Sequence, residues 1–320
     1  MAKVETVDIT TSAGADKFPL NENKFLKAVE TIAEQNFRAV PNTNKIENGF
    51  YDYQVHEGAV IEEAIAKMAE GAAFAPTAAG AEPSFAPKDA TVYVKYFNDW
   101  EQKRWQVTKR EDEIRKVVAR GGTPEEISSA ILGTLNEGES NADYSKMRAI
   151  IEAEASAKDG SAAVFGGKVP ANMKGVAYCL RQLYNVVKAT NDKGGVPCAQ
   201  GVAPSDVRVA ISEKALNLMD VTELANLFNL SKEELFGMLV VMPDDGAYSG
   251  DKCLVYDVRH LGRGTRLYEF MSDEVKAGRY TNFYLDTDRC YFTNELFKAI
   301  GIDISKAMAA AEGTLLAAKE

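Results

Sequence analysis

The most regular alternation of apolar and polar positions lies between Thr91 and Thr108. Val92, Val94 and Tyr96 share one side of an extended chain, and Asn98-Asp99 is a turn or bulge signal. Past that signal the phase changes: Lys103, Trp105 and Val107 point one way, and Arg104, Gln106 and Thr108 the other. Upstream, Tyr51, Tyr53 and Val55 alternate with Asp52, Gln54 and His56, which predicts a half-buried strand over 50–56. Ile61, Ala64, Ile65 and Met68 sit at helical spacing and predict a short helix over 61–69. Residues 71–89 are rich in Ala, Gly and Pro without any period, which predicts a mobile tip. The expected shape is a long antiparallel arm, out near 50 and back near 91, carrying Phe74 and Phe85 on its tip and Trp100 and Trp105 on its return. Such an arm folds back on its own domain or packs on another chain. Large aromatics carry interface energy, which favours the second.

Periods near 3.6 predict the helices. Phe25, Leu26, Val29, Ile32 and Ala33 line one face over 21–38, and 111–120 predicts a short helix with Lys109-Arg110 and Arg115-Lys116 on its solvated side. Thr123, Pro124 and Glu126 form a capping box that opens a long helix ending at Asp159-Gly160. Its stripe of Ile127, Ala130, Ile131 and Leu135 resumes at Tyr144, Met147, Ile150 and Ile151, with Gly138 and the polar run after it as an expected kink or break. Met173, Val176, Leu180, Leu183 and Val187 predict a helix over 172–190. Val207, Val209 and Ile211 predict a strand, and Asp220-x-x-Glu223 and Ser231-x-x-Glu234 open short helices. Residues 238–242 and 252–258 are apolar on both faces and read as central strands of an α/β unit of about 100 residues. Arg266–Met271 and Tyr280–Phe292 predict an aromatic ribbon joined by the polar turn SDEVKAGR. NELFKAIG predicts a short helix, and 305–320 reads as an Ala-rich tail of low complexity.

Composition narrows the function classes. With 46% hydrophobic and 26% charged residues over 320 positions, the chain is an ordinary globular protein of about two domains. A net charge of -10 argues against a general nucleic-acid binder, which needs a basic face to displace counterions from phosphate. Cys179, Cys198, Cys253 and Cys290 form no C-x-x-C pair and are expected to be reduced, structural thiols in an aqueous, reducing compartment. Two histidines make a His-rich metal site unexpected. No run of about 18 apolar residues marks a membrane span, and the N-terminus carries no apolar targeting segment.

No catalytic motif stands out. Phosphate-loop, nucleophile-elbow and zinc-protease patterns are all missing from the text of the chain. Gly262-Arg263-Gly264 does not extend to a dinucleotide fingerprint and reads as a turn, as does Asp244-Asp245-Gly246. Asp286-x-Asp288 lacks the glycine and distal glutamate of a calcium loop. His56 reads as solvent-facing, and His260 as structural.

The order of parts and several stretches carry a family resemblance. These are Ile61-Glu62-Glu63 on the arm, KRWQVTKREDEI running into TPEEISSAI, the block ISEKALNLMDVTELANLFNLSKEELFG, and the terminal YTNFYLDTDRCYFTNELFKAI. The chain resembles tailed-bacteriophage major capsid proteins of the Hong Kong 97 fold, in particular those of small short-tailed phages of Gram-positive hosts. The resemblance spans about Asn48 to Asp303 and leaves the first ~45 residues and the Ala-rich tail unmatched.

That resemblance implies an α+β fold with an N-terminal arm (1–47), an extended β-hairpin loop (48–110, tip 71–89) and a peripheral domain with a spine helix (111–160 and 264–293). An axial α/β domain (161–263 and 294–304) and a C-terminal tail (305–320) complete it. It implies a non-enzymatic shell subunit with no cofactor and no metal, assembling as pentamers and hexamers into an icosahedral shell around double-stranded DNA that it does not read. The implied partners are many copies of itself, a separate scaffolding protein, a portal and decoration proteins, with assembly in the host cytoplasm and a final place in the virion capsid. Phe74, Phe85, Trp100, Arg104 and Trp105 are the candidate inter-subunit contacts. An encapsulin-like compartment shell and a soluble enzyme without a recognisable motif are the alternatives.

Overall fold

The computed structural model describes residues 46–66, 91–110, 124–160, 164–189, 192–193, 196–197, 202–219, 224–225, 228, 231–243 and 250–317. The helices expected over 21–38 and 111–120, the Thr123 cap, the 71–89 tip, Cys198, and the Asp220-x-x-Glu223 and Asp244-Asp245-Gly246 signals lie outside these residues. The chain divides into two units, the first from Met1–Thr43, Trp100–Ser145 and Thr265–Arg289, the second from Asn44–Asp99, Lys146–Gly264 and Cys290–Glu320.

The second unit is built on a four-stranded sheet of order β12-β9-β7-β8. Its strands are Val207–Ser212 (β7), Leu239–Met242 (β8), Lys252–Asp257 (β9) and Ala299–Asp303 (β12). β7 runs parallel to β8, and β9 runs antiparallel to β7 and β12. Nearly every residue of β7 and β9 is buried, as continuous apolar runs require when both faces are covered. The covering helix Met173–Lys188 (α2) buries the expected stripe of Met173, Val176, Leu180, Leu183 and Val187. Asn172 caps it, its side-chain oxygen accepting from Gly175 N at 2.7 Å. Ser231 and Glu234 close the expected capping box on Lys232–Met238 (α4), and Ser212 caps Glu213–Asn217 (α3).

Several expectations are corrected in this unit. β8 is an edge strand, not a central one. Its residues are apolar on both sides because α3 and α4 contact it. Side-chain pattern reports what covers the faces of a sheet, whereas strand order depends on the edges, which the pattern does not see. NELFKAIG is a turn followed by β12, not a helix. The Asn294 side chain accepts from Leu296 N at 3.1 Å and its carbonyl from Phe297 N at 3.2 Å, a local turn that competes with a helical start. The Ala-rich segment is the helix Ser305–Ala317 (α5), packed on α2 with Ala307 and Met308 in the core.

Ile61–Ala66 (β2) is a strand, paired antiparallel with Val92–Phe97 (β3), where the spacing predicts a helix. Ile61 and Ile65 are buried in the pattern BeieBe. An i, i+4 pair lies on one face of a helix and also on one face of a strand, so its spacing could not discriminate; the partner strand did. The outgoing strand of the arm is therefore β2. The strand Tyr51–Gln54 (β1), expected in that role, pairs with Leu261–Val275 (β10) instead.

In the first unit, Tyr280–Thr293 (β11) lies between β10 and Trp100–Arg110 (β4). The return of the arm thus breaks at Asn98-Asp99, where the sequence signals it, and β4 belongs to a different sheet from β3. Lys109 and Arg110 end β4 and are not on a helix. β10 and β11 are longer than expected: SDEV continues β10, and the connection is 276–279, with Arg279 left-handed at φ 49°. Gly262-Arg263-Gly264 is likewise strand, not turn. A Cβ at Gly262 would lie 2.1 Å from Phe292 Cζ, so the glycine is there for close approach. The long helix, Pro124–Ala157 (α1), runs unbroken through Gly138, with Ile131, Leu132 and Leu135 buried in the first unit and Met147, Ile151 and Ala155 in the second.

Candidate assembly surfaces

The β2–β3 ribbon has two chemically distinct faces set by its register. Ile61 opposes Phe97, Glu63 opposes Lys95 and Ile65 opposes Tyr93 on one face; Glu62 opposes Tyr96, Ala64 opposes Val94 and Ala66 opposes Val92 on the other. The first face is anchored. Ile65 and Tyr93 pack with Leu296 and Phe297, and the Phe97 ring stacks on Phe292 at 3.8 Å. The second face is apolar and open in the isolated chain: Tyr96 is 64% exposed, Val92 51% and Val94 42%. Three large apolar side chains side by side on a two-stranded ribbon form a surface that water does not favour.

The ribbon is fixed at its root by aromatic stacking and ion pairs. Tyr51, Tyr53, Phe292 and Phe97 form a continuous run of ring contacts. The Tyr53 hydroxyl donates to Glu63, tying β1 to β2. Burial and that carboxylate push the phenol well above its ordinary range. Arg263 binds Asp52 through two nitrogens, at 2.7 and 3.0 Å, and reaches Glu47 at 3.4 Å. Tyr256 donates to Gly49 O at 2.9 Å and Arg208 to Asn48 O at 2.9 Å, holding the segment that leads into β1.

The first unit presents a polar ladder across β4, β11 and β10. Arg104 makes a bidentate pair with Asp286, at 2.7 and 2.6 Å, and lies over the Tyr284 ring. Gln106 and Thr108 share Asn282, and Gln102 and Arg266 meet at Asp288. The Asp286-x-Asp288 pair is therefore consumed by arginines. Trp100 lies beneath the Arg266 guanidinium at 4.7 Å, and Trp105 faces Gly138 of α1. Both tryptophans are half-buried in their own unit, while Arg104 is exposed. Of the expected contact residues, the structure thus brings Trp100, Arg104 and Trp105 onto one strand; Phe74 and Phe85 lie outside the described residues. The exposed side of the ribbon was legible as the shared face of Val92, Val94 and Tyr96, but nothing in the text marked it as the outward one.

Among the described residues, no group of His, Cys, Asp and Glu could hold a metal ion. No described helix is long and apolar enough to cross a membrane. His56 is exposed, as expected, and His260 is buried. Burial pushes the Cys253 thiol up to about 12, the behaviour of an inert core cysteine.

A family model described as Phi29-like phage major capsid protein matches residues 3–302. No curated protein sequence matches. The fold is similar to the capsid structure of Staphylococcus phage Andhra, with a TM-score of 0.56 and 10% identity over 79% of this chain and 82% of that one. It is also similar to the capsid structure of cyanophage P-SCSP1u, with a TM-score of 0.51 and 11% identity over 80% and 86% of the two chains. At such identities the structures speak for the fold: a mixed helix and sheet chain of the tailed-phage capsid kind.

Proposed function

The chain belongs to the Phi29-like phage major capsid protein family, and from that premise we propose how its copies meet. It is a structural subunit of the capsid shell, not an enzyme, and its place is the virion capsid. The enzyme and compartment-shell alternatives are not favoured. The copies form pentamers and hexamers of an icosahedral shell around double-stranded DNA, with a separate scaffolding protein, a portal and decoration proteins as partners and the host cytoplasm as the place of assembly. The net charge of -10 supports an enclosure that does not bind the packaged DNA, since adhesion to phosphate scales with positive charge.

β1 to β4 are the described strands of the extended loop (48–110), with 1–47 as the arm, 111–160 and 264–293 as the peripheral domain, 161–263 and 294–304 as the axial domain and 305–320 as the tail. Phe74, Phe85, Trp100, Arg104 and Trp105 contact neighbouring copies, joined by Val92, Val94 and Tyr96. The observation that carries this reading is the outward apolar face of a ribbon whose other face is anchored. The experiment is expression of Val94→Glu/Tyr96→Glu with the neighbouring genes, viewed by negative stain. The wild type is expected to give shells. The variant is expected to give folded subunits by circular dichroism and no shells. Normal shells from the variant would remove the ribbon from the interface.

A further inference from the structure

We propose that His260 is a latch, an imidazole that donates from both ring nitrogens and so fastens the second-unit ends of α1, β10 and β11 to one another. Its Nδ1 lies 2.8 Å from Asn294 O and 3.1 Å from Phe297 O. A carbonyl only accepts, so Nδ1 carries a hydrogen. Its Nε2 lies 2.9 Å from Glu154 Oε2. An ionised carboxylate also only accepts. A ring protonated at Nδ1 alone would turn a lone pair toward it, in a place where the side chain is 1% exposed. The set of partners is complete only when the second nitrogen is protonated too.

The latch occupies a particular place in the chain. Glu154 lies in the last turn of α1, His260 immediately precedes β10, and Asn294 immediately follows β11. Those are the three long elements that run through both units. Asn294 N returns a hydrogen bond to His260 O at 2.7 Å, so the roots of β10 and β11 are tied in both directions. The bond from Nε2 is the one that adds α1. Loss of that bond releases the end of α1 while the Nδ1 bonds hold the strand roots together.

The charges around it keep the Glu154 carboxylate ionised, and so an acceptor. The hydrogen bond from His260 holds the Glu154 carboxyl below its usual range against the opposing effect of burial, and Lys158 and Lys95 add to it. Lys95 is shared with Glu295 at 3.8 Å. Arg259 stacks over Phe297 at 4.3 Å and is committed to Asp257 at 2.7 Å.

The test uses full-length protein with ¹⁵N-labelled imidazoles. The chain has two histidines, so a His56→Asn background leaves His260 as the single imidazole signal. Both ring nitrogens are expected to show the protonated type of shift. Glu154→Gln, whose amide can donate to a bare Nε2, is expected to convert one of them to the pyridine type. A pyridine-type nitrogen already present without Glu154→Gln would overturn the proposal. Hydrogen exchange gives a second readout. In Glu154→Ala, which removes the partner of Nε2, the last turn of α1 is expected to lose protection while residues 261–264 and 290–293 keep theirs. Equal loss at all three places, or none at α1, would overturn the proposal as well.

Discussion

The sheets of the two units solve the same problem with different chemistry. In the second unit β7 and β9 are apolar on both faces and sit under α2 and other helices. In the first unit β4 alternates between half-buried and exposed positions, and its exposed face is a ladder of side-chain hydrogen bonds and ion pairs. The second sheet is held by removing area from water, which charge screening does not weaken. The first relies in addition on charges whose worth depends on how far they are buried. A capsid subunit needs both: a core that sets the fold, and a sheet with a polar, specific outer face.

The largest expected effect is in the apolar core. Leu183→Ala removes a fully buried side chain of α2 and is expected to cost about 3–5 kcal/mol, measured by denaturant unfolding. A cost under about 1 kcal/mol would show that this core is loosely packed and would erase the contrast. Next is Arg289, which in the first unit binds Glu139 at 2.6 Å and Thr265 at 3.0 Å and covers Tyr268. Both side chains of the pair are largely buried, so Arg289→Ala takes the guanidinium away from a buried carboxylate and is expected to cost about 3 kcal/mol. Arg104→Ala, which breaks a pair whose arginine is exposed, is expected to leave stability unchanged within error. Equal losses from the two arginines would mean that burial does not rank these pairs.

The second unit has an ionic exception at Glu154. Its carboxyl is held below the usual range in the folded chain, chiefly by the bond from His260. Its contribution is then fully present above the ordinary glutamate value of about 4.3 and is lost as pH falls through the lowered value. Acid titration of unfolding midpoints should therefore show a loss in the wild type that Glu154→Gln lacks. The smallest effect is a gain: a Cβ at Gly133 meets nothing within 4 Å, so Gly133→Ala is expected to stabilise α1 by about 0.5–1 kcal/mol, read as a raised unfolding midpoint.

Much of this was legible in the sequence, for identifiable reasons. The α2 stripe and the Ser231 capping box follow from local rules and stand as expected, because helix period and capping involve only neighbours in the chain. Ile61 to Ala66 does not follow, because residues four apart share a face in either conformation and β3 made the choice. The interruption expected at Gly138 does not occur either. One glycine weakens a helix by about 1 kcal/mol, too little to break one held on both sides by buried residues such as Leu135 and Met147. At the candidate surfaces, the alternation of Val92, Val94 and Tyr96 was visible, but which face of the ribbon would be open was not.

The sequence by itself determined the α2 stripe, the Ser231 capping box, the absence of a recognisable catalytic motif and the family text that marks a capsid subunit. Tertiary structure alone decided strand partners and edges: β1 with β10, β2 with β3, and β8 at the rim. It also decided the placement of α5 in the core and the three-way bond of His260. The physical reason is range. Backbone propensity and side-chain period act over a few residues, whereas strand pairing and buried polar contacts join positions more than a hundred residues apart, such as Glu154 and His260.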